Sequence, residues 1–232
     1  MTRVAITTDR FESAGRPFRR YGLEPVSLPC IRIEPAGADL LAEARKAAAL
    51  CDLLLITSAR TVDLLWPDGP MPSSPVAAVG EWTAAAVEAR GGRVALAGQA
   101  GVTELIDQLG SNLETAAVVF PHAGRPSADN STSLRTALET LRGRAAKLNE
   151  FEIYRTTSLS PGTDDVAAVA FASPSAVAGW HLSRSFDALV IGVIGLTTRV
   201  AVAAHRSPDV VAPQPSHDAL ARAMASFLEV SA

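Results

Sequence analysis

Two serines, two glycines and two threonines stand at matching intervals in this chain and are its best candidates for chemistry. Ser58, Gly80 and Thr83 form one set; Ser173, Gly195 and Thr198 form the other. In each set 22 positions separate serine from glycine and 3 separate glycine from threonine, and a leucine follows 22 positions later, Leu105 or Leu220. Each serine follows a short apolar run and precedes a helical stretch. Ser173 is followed by Pro174, the favoured order for a helix cap and the first helical residue. Glycine at a strand end lets a ligand come close to the backbone. Threonine in the first helical turn sits among N–H groups that have no intrahelical partner. Helix N-termini attract anions through those N–H groups and through the helix dipole. Taken singly, each residue is an ordinary cap worth ~1 kcal/mol. As a duplicated set they predict two anion-cradling edges, and a multiply anionic ligand held between two domains.

The elements that must position these residues alternate regularly. The spacing predicts a strand at Val4 to Thr8, a helix over 16–21 that stops at Gly22, and an extended run over 24–34. Pro25 and Pro29 lie inside that run and argue for an edge or linker strand. A helix over 39–50 follows, with Asp39 as its cap. Then come strand 53–56, helix 59–66, a four-proline loop over 67–75, strand 76–79, helix 83–90, strand 93–96 and helix 103–109. The pattern restarts with strand 117–120, a polar loop over 124–133, helix 134–142 and an extended run over 145–157 that carries Tyr154. The second serine block then leads to a final helix over about 218–228. Apolar strands without alternation are strands buried on both faces, and β-α-β-α order predicts doubly wound sheets. Ser58 and Ser173 are 115 positions apart, and Thr8 placed opposite His122 gives 114, close to half of the 232 residues. The chain therefore reads as an internal repeat: two similar α/β domains joined by two extended segments.

Composition narrows the function. Hydrophobic content of 48% against 19% charged describes a chain able to bury a large core. A net charge of −3 with no basic stripe argues against a nucleic-acid partner, and it leaves any anion to be held by local fields. No run of ~20 apolar residues suits a membrane span, and the N-terminus reads as a strand instead of a signal peptide, so the expected location is cytoplasmic. Cys30 and Cys51 read as reduced core thiols. His181, His205 and His217 show no metal spacing. Phosphate loops, dinucleotide fingerprints and nucleophile elbows are missing from the sequence, so the expectation is an activity without metal catalysis or a covalent intermediate. Tyr154, on an extended segment, is either a ligand contact or packing. His122 is a proton donor, an anion contact or a surface-loop histidine. Arg10, Arg60 and Arg125 are each either an anion contact or a solvated cation.

These residues resemble the uroporphyrinogen-III synthase family. The resemblance rests on Thr57-Ser58-Ala-Arg-Thr-Val62, Val79-Gly80-Glu-Trp-Thr83-Ala84, Ile153-Tyr154-Arg-Thr156, Phe171-Ala-Ser173-Pro-Ser175-Ala-Val177 and Ile194-Gly195-Leu-Thr-Thr198, and on the connector Pro29-x-Ile31-x-Ile33-x-Pro35. It spans almost the whole chain in the right order. It implies two flavodoxin-like doubly wound parallel-sheet domains joined by a two-stranded linker, with a swapped path: 1–34 plus 158–232 as one domain, 35–157 as the other. It implies a cofactor-free lyase that cyclises hydroxymethylbilane, a linear tetrapyrrole with eight carboxylates, to uroporphyrinogen III. Ring D is inverted and water is lost. Tyr154 is the implied catalytic residue, set to hydrogen-bond the departing hydroxyl. Ser58, Thr83, Ser173 and Thr198 are the implied contacts, with Thr8, Arg10, Gly80, His122, Ser175 and Gly195 beside them. The implied partners are the bilane and the enzyme that makes it. Two sites depart from the family pattern: Thr7-Thr8-Asp9-Arg10 stands where Thr-Arg-Pro is usual, and Pro121-His122-Ala123 where Arg-Gly is usual. These departures support an alternative, a tetrapyrrole or anion sensor without turnover.

Overall fold

The structure, a computed structural model, describes residues 1–98, 101–124 and 132–230. Arg125 and most of the polar loop expected over 124–133 lie outside the described residues. In chain order the first half runs β1 (Arg3–Ile6), α1 (Phe11–Arg20), β2 (Glu24–Ser27), β3 (Ile31–Pro35), α2 (Ala38–Ala49), β4 (Leu53–Ile56), α3 (Ala59–Leu65), β5 (Pro75–Val79), α4 (Glu81–Ala89), β6 (Arg93–Gly98) and α5 (Val102–Leu109). The second half runs β7 (Ala117–Ala123), α6 (Thr132–Arg144), β8 (Lys147–Ser158), β9 (Ala168–Phe171), α7 (Pro174–His181), β10 (Val190–Val193), α8 (Leu196–Ala203), β11 (Val210–Val211) and α9 (His217–Val230). The chain divides into two compact units, Met1–Ile33 with Thr156–Ala232, and Glu34–Arg155.

The first unit holds a five-stranded sheet in the order β2-β1-β9-β10-β11, parallel throughout. This is the 2-1-3-4-5 order of flavodoxin-like folds. Successive residues of a strand point to opposite faces, and both faces of this sheet are covered. Val4 and Ile6 pack with Phe18 of α1 and Leu220 and Met224 of α9. Ala5 packs on the other face with Phe171, Trp180 and Val202. Fully burying such side chains is worth ~1.5–3 kcal/mol each, which is why the strands carry no polar alternation. Gly15 lets α1 close on the sheet, because a Cβ there would already lie 3.2 Å from Pro25 Cβ.

The second unit holds the order β3-β8-β7-β4-β5-β6. Its pairs β4–β5, β4–β7, β5–β6 and β7–β8 are parallel. Without β3, this is the first sheet again, with β8, β7, β4, β5 and β6 in the places of β2, β1, β9, β10 and β11. The correspondence holds at residue level: β4 shifted by 115 positions is β9, and α3 and α4 shifted likewise begin where α7 and α8 begin. Each sheet therefore takes its first two strands from one half of the chain and its last three from the other. Leu53, Leu55, Val118 and Phe120 pack against Leu105, Ile106 and Leu141 on one face of the second sheet.

Several boundaries differ from expectation. The helix expected over 16–21 begins at Phe11 and carries Pro17 inside it. Burial of Ala14, Gly15 and Phe18 along one face outweighs the donor that proline lacks. Asp39 is not the cap of α2; Gly37 is, without a side-chain hydrogen bond, and Asp39 lies in the first turn, where it complements the helix dipole. The run over 24–34 is two strands in two sheets, each at an edge. Leu28, Pro29 and Cys30 break it between β2 and β3. Backbone bonds link β3 and β8 at both ends, Ala36 N–H to Ile153 O at 2.9 Å and Leu159 N–H to Cys30 O at 2.8 Å. Both cysteines are free thiols. Burial pushes the Cys30 thiol up to about 12, against an opposing pull from Arg184, so it stays neutral and unreactive in the folded chain.

Candidate functional site

Because each sheet is parallel, the segments after its strands gather at one edge. In open α/β sheets ligands bind at the carboxyl edge, where the strand order reverses. In the first unit the reversal lies between β1 and β9, and in the second between β7 and β4. Thr8 and Ser173 follow the two central strands in the first unit. His122 and Ser58 hold the equivalent places in the second. Gly195 and Gly80 stand one strand further out, after β10 and β5. These six residues thus occupy equivalent places on two similar edges, three in each unit.

The two serines act as caps. Ser58 is the N-cap of α3 and its Oγ accepts from Arg60 N–H at 3.2 Å. Ser173 is the N-cap of α7 and accepts from Ala176 N–H at 3.2 Å, with Pro174 in the first turn. Gly80 and Gly195 are the N-caps of α4 and α8, without side-chain bonds. The two glycines differ in kind. Gly80 has φ of 80°, which favours glycine, whereas Gly195 is extended at −178°. A Cβ at Gly80 would meet nothing within 4 Å, and at Gly195 only Pro215 Cβ at 3.9 Å, so both positions face open space. Thr83 and Thr198 lie in the first turns that follow, 5% and 1% exposed. Their side chains face inward, and what those turns present outward is backbone N–H and the neighbouring side chains.

Thr8 is buried, donates from Oγ1 to Asp9 Oδ1 at 3.1 Å and accepts from Arg10 N–H at 3.4 Å. Arg10 is exposed and stands at the N-cap of α1, where its side chain does not cap the helix. Thr7, which the sequence did not single out, ties the reversal point together: its Oγ1 donates to Ala170 O at 2.8 Å, from the end of β1 to β9. Ser175 lies in the first turn of α7, and its carbonyl accepts from Ser158 Oγ at 3.2 Å.

His122 is not on a surface loop. It is buried, inside β7, which runs three residues beyond the expected strand. Pro121 made the run look broken, but β7 pairs with β4 only at Val118 and Val119, so its missing N–H costs no bond on that side. Pairing with β8 continues to Ala123. His122 Nδ1 donates to Ala123 O at 2.8 Å, which leaves Nε2 as the ring nitrogen open to a second partner. The side chain lines a cavity of about 440 Å³ with Leu134, Leu138 and two ion pairs, Arg142–Glu150 at 2.6 Å and Arg155–Glu152. None of this cluster was visible as a motif, since its members come from three separated elements.

Tyr154 lies on β8 and is buried. A β-bulge falls between the pairs His122–Glu152 and Ala123–Tyr154. It sets Tyr154, not Ile153, opposite Ala123. Bulges re-aim side chains and occur beside active sites, so this one brings Tyr154 alongside the end of β7, where Gly124 N–H donates to Tyr154 O at 2.6 Å. Within the second unit, the structure therefore places His122, near the end of β7, and Tyr154, within β8, on neighbouring strands. Arg60 lies in the first turn of α3. His181 and His205 are 24 positions apart in sequence, yet their rings lie 4.2 Å apart. Among the described residues no helix is long and apolar enough to cross a membrane.

A family model described as uroporphyrinogen-III synthase HemD matches residues 12–222. No curated protein matches the chain. A methionine-substituted uroporphyrinogen III synthase from Thermus thermophilus has a TM-score of 0.66 at 17% identity, covering 99% of this chain and all (100%) of that one. The wild-type Thermus protein in a second crystal form gives 0.55 at 17%, covering 100% of this chain and 99% of that one. Uroporphyrinogen-III synthetase from Helicobacter pylori gives 0.60 at 16%, covering 99% and 98%. At these identities the structural likeness is one of fold.

Proposed function

Since the chain belongs to the uroporphyrinogen-III synthase family, whose members act in tetrapyrrole biosynthesis, we propose that it cyclises hydroxymethylbilane to uroporphyrinogen III, as a lyase without a cofactor. The observation that carries this reading is the repeat: two carboxyl edges, each with serine-capped and glycine-capped helix starts, suit a ligand with eight carboxylates better than one with a single charge. No dense carboxylate cluster sits in the repeated motifs to repel it.

The reaction begins with loss of the terminal hydroxyl of the bilane as water, which leaves an electrophilic azafulvene. Ring D is attacked at its substituted carbon, a spiro intermediate forms, and its rearrangement inverts the ring before the macrocycle closes. Tyr154 hydrogen-bonds the departing hydroxyl. His122, with Nδ1 committed to Ala123, has Nε2 available to exchange a proton or to meet a propionate or acetate group. Ser58, Ser173 and the first turns of α4 and α8 hold carboxylates, and Thr83 and Thr198 fix those turns from within. The main task is positioning: closure at the unsubstituted carbon must be made slow while the chain is held for attack at the substituted one. Purified protein supplied with hydroxymethylbilane tests this reading. The type III isomer is expected, and formation of the spontaneous type I isomer alone would refute it.

A further inference from the structure

We propose that Trp82 contacts the substrate directly, its indole forming an apolar rest for a pyrrole ring of the bound tetrapyrrole. This deepens the reading above and rests on it. The chain has three tryptophans. Trp66 and Trp180 are buried, whereas Trp82 is 60% exposed. It is the second residue of α4, two positions after the Gly80 cap and directly before the buried Thr83. Helical Cα–Cβ bonds tilt toward the helix N-terminus, so a first-turn side chain leans over the residues that precede the helix. The indole therefore leans toward Gly80 and the carboxyl edge of its sheet, where a Cβ at Gly80 would find open space.

The repeat supplies an independent second observation. The equivalent helix α8 begins directly after Gly195 with Leu196, which is 71% exposed. By the 115-residue offset Leu196 corresponds to Glu81 and Trp82 to Thr197, so the two copies differ by one position, but both set a large, mostly exposed apolar side chain in the first turn after the glycine of the repeat. Single exposed apolar residues are ordinary on a protein surface, but one in the first turn after the glycine at both edges is not explained by the packing of either unit. The chemistry matches the ligand class. A tetrapyrrole presents flat apolar rings fringed with carboxylates, and a site for it needs both anion-binding N–H groups and apolar rests. Indole stacking on such a ring corresponds to roughly 3- to 10-fold in affinity.

The test combines direct binding with kinetics. Acrylamide quenching of tryptophan emission is measured with and without uroporphyrinogen III kept reduced, whose isolated pyrroles do not absorb the emitted light. Shielding is expected in the wild type and should vanish in Trp82→Phe, which leaves only the two buried indoles. For turnover of hydroxymethylbilane, Trp82→Ala should raise KM about 10-fold with kcat within about 3-fold, and Trp82→Phe should restore most of the KM. Unchanged quenching on saturation with uroporphyrinogen III, or a wild-type KM in Trp82→Ala, overturns the inference. If the wild type shields Trp82 but makes no type III isomer, the reading of function fails and this contact stands.

Discussion

Tyr154 brings a hydroxyl into a stretch of β8 otherwise walled by Phe151 and Ile153, all three buried. Removing only that oxygen keeps the ring packing. Tyr154→Phe should therefore lower turnover about 10-fold or more while changing stability by no more than about 1.5 kcal/mol, checked by steady-state kinetics and urea melts; unchanged turnover would remove Tyr154 from the mechanism. A second residue sets a pH limit. Burial holds His217 below its ordinary pKa of 6.5, and its Nε2 is buried without a hydrogen-bond partner. The folded chain resists a proton that the unfolded chain accepts near that value. The favourable difference is full above it and is lost as pH falls through it and on through the lower folded value. His217→Leu should therefore lose less stability than the wild type between about pH 7 and about pH 5, measured by denaturant melts at each pH. An equal loss in both would exclude His217 as a source of acid sensitivity.

Helices and strands impose a second kind of constraint. On α7, Gly179 lies against backbone, since a Cβ there would collide with Cys30 O and stand 2.7 Å from Leu159 O. Those residues are joined by the Leu159 N–H to Cys30 O bond at 2.8 Å, and backbone cannot swing aside as a flexible side chain can. Gly179→Ala should destabilise by about 3 kcal/mol or more; a melting curve within about 0.5 kcal/mol of wild type would contradict that packing. The elements themselves were legible where one local signal dominated. Leu53 to Ile56 shows four apolar residues between polar ones, and β4 has those limits. Ser173-Pro174 marked the start of α7 to the residue. Legibility failed at boundaries that tertiary packing sets: the start of α1 at Phe11 instead of Arg16, β7 continuing past Pro121, and the cap of α2 at Gly37 instead of Asp39. His122 was misplaced for the same reason, because the strand that buries it continues past a proline.

At the scale of the whole molecule, the repeat was legible because 115 residues of offset preserve both the spacing of polar residues and the lengths of the apolar runs. The exchange of strands between halves left no local trace, since a strand carries the same pattern whichever sheet it joins. The clusters around His122 and between His181 and His205 were hidden for that reason too: they depend on which elements become neighbours. The most direct measurement is the ratio of type III to type I uroporphyrinogen formed from hydroxymethylbilane as protein concentration is raised. The ratio should climb with protein until type III dominates, because each added molecule diverts bilane from spontaneous closure. A ratio fixed at the spontaneous type I outcome at every concentration, with the protein folded, would contradict the account.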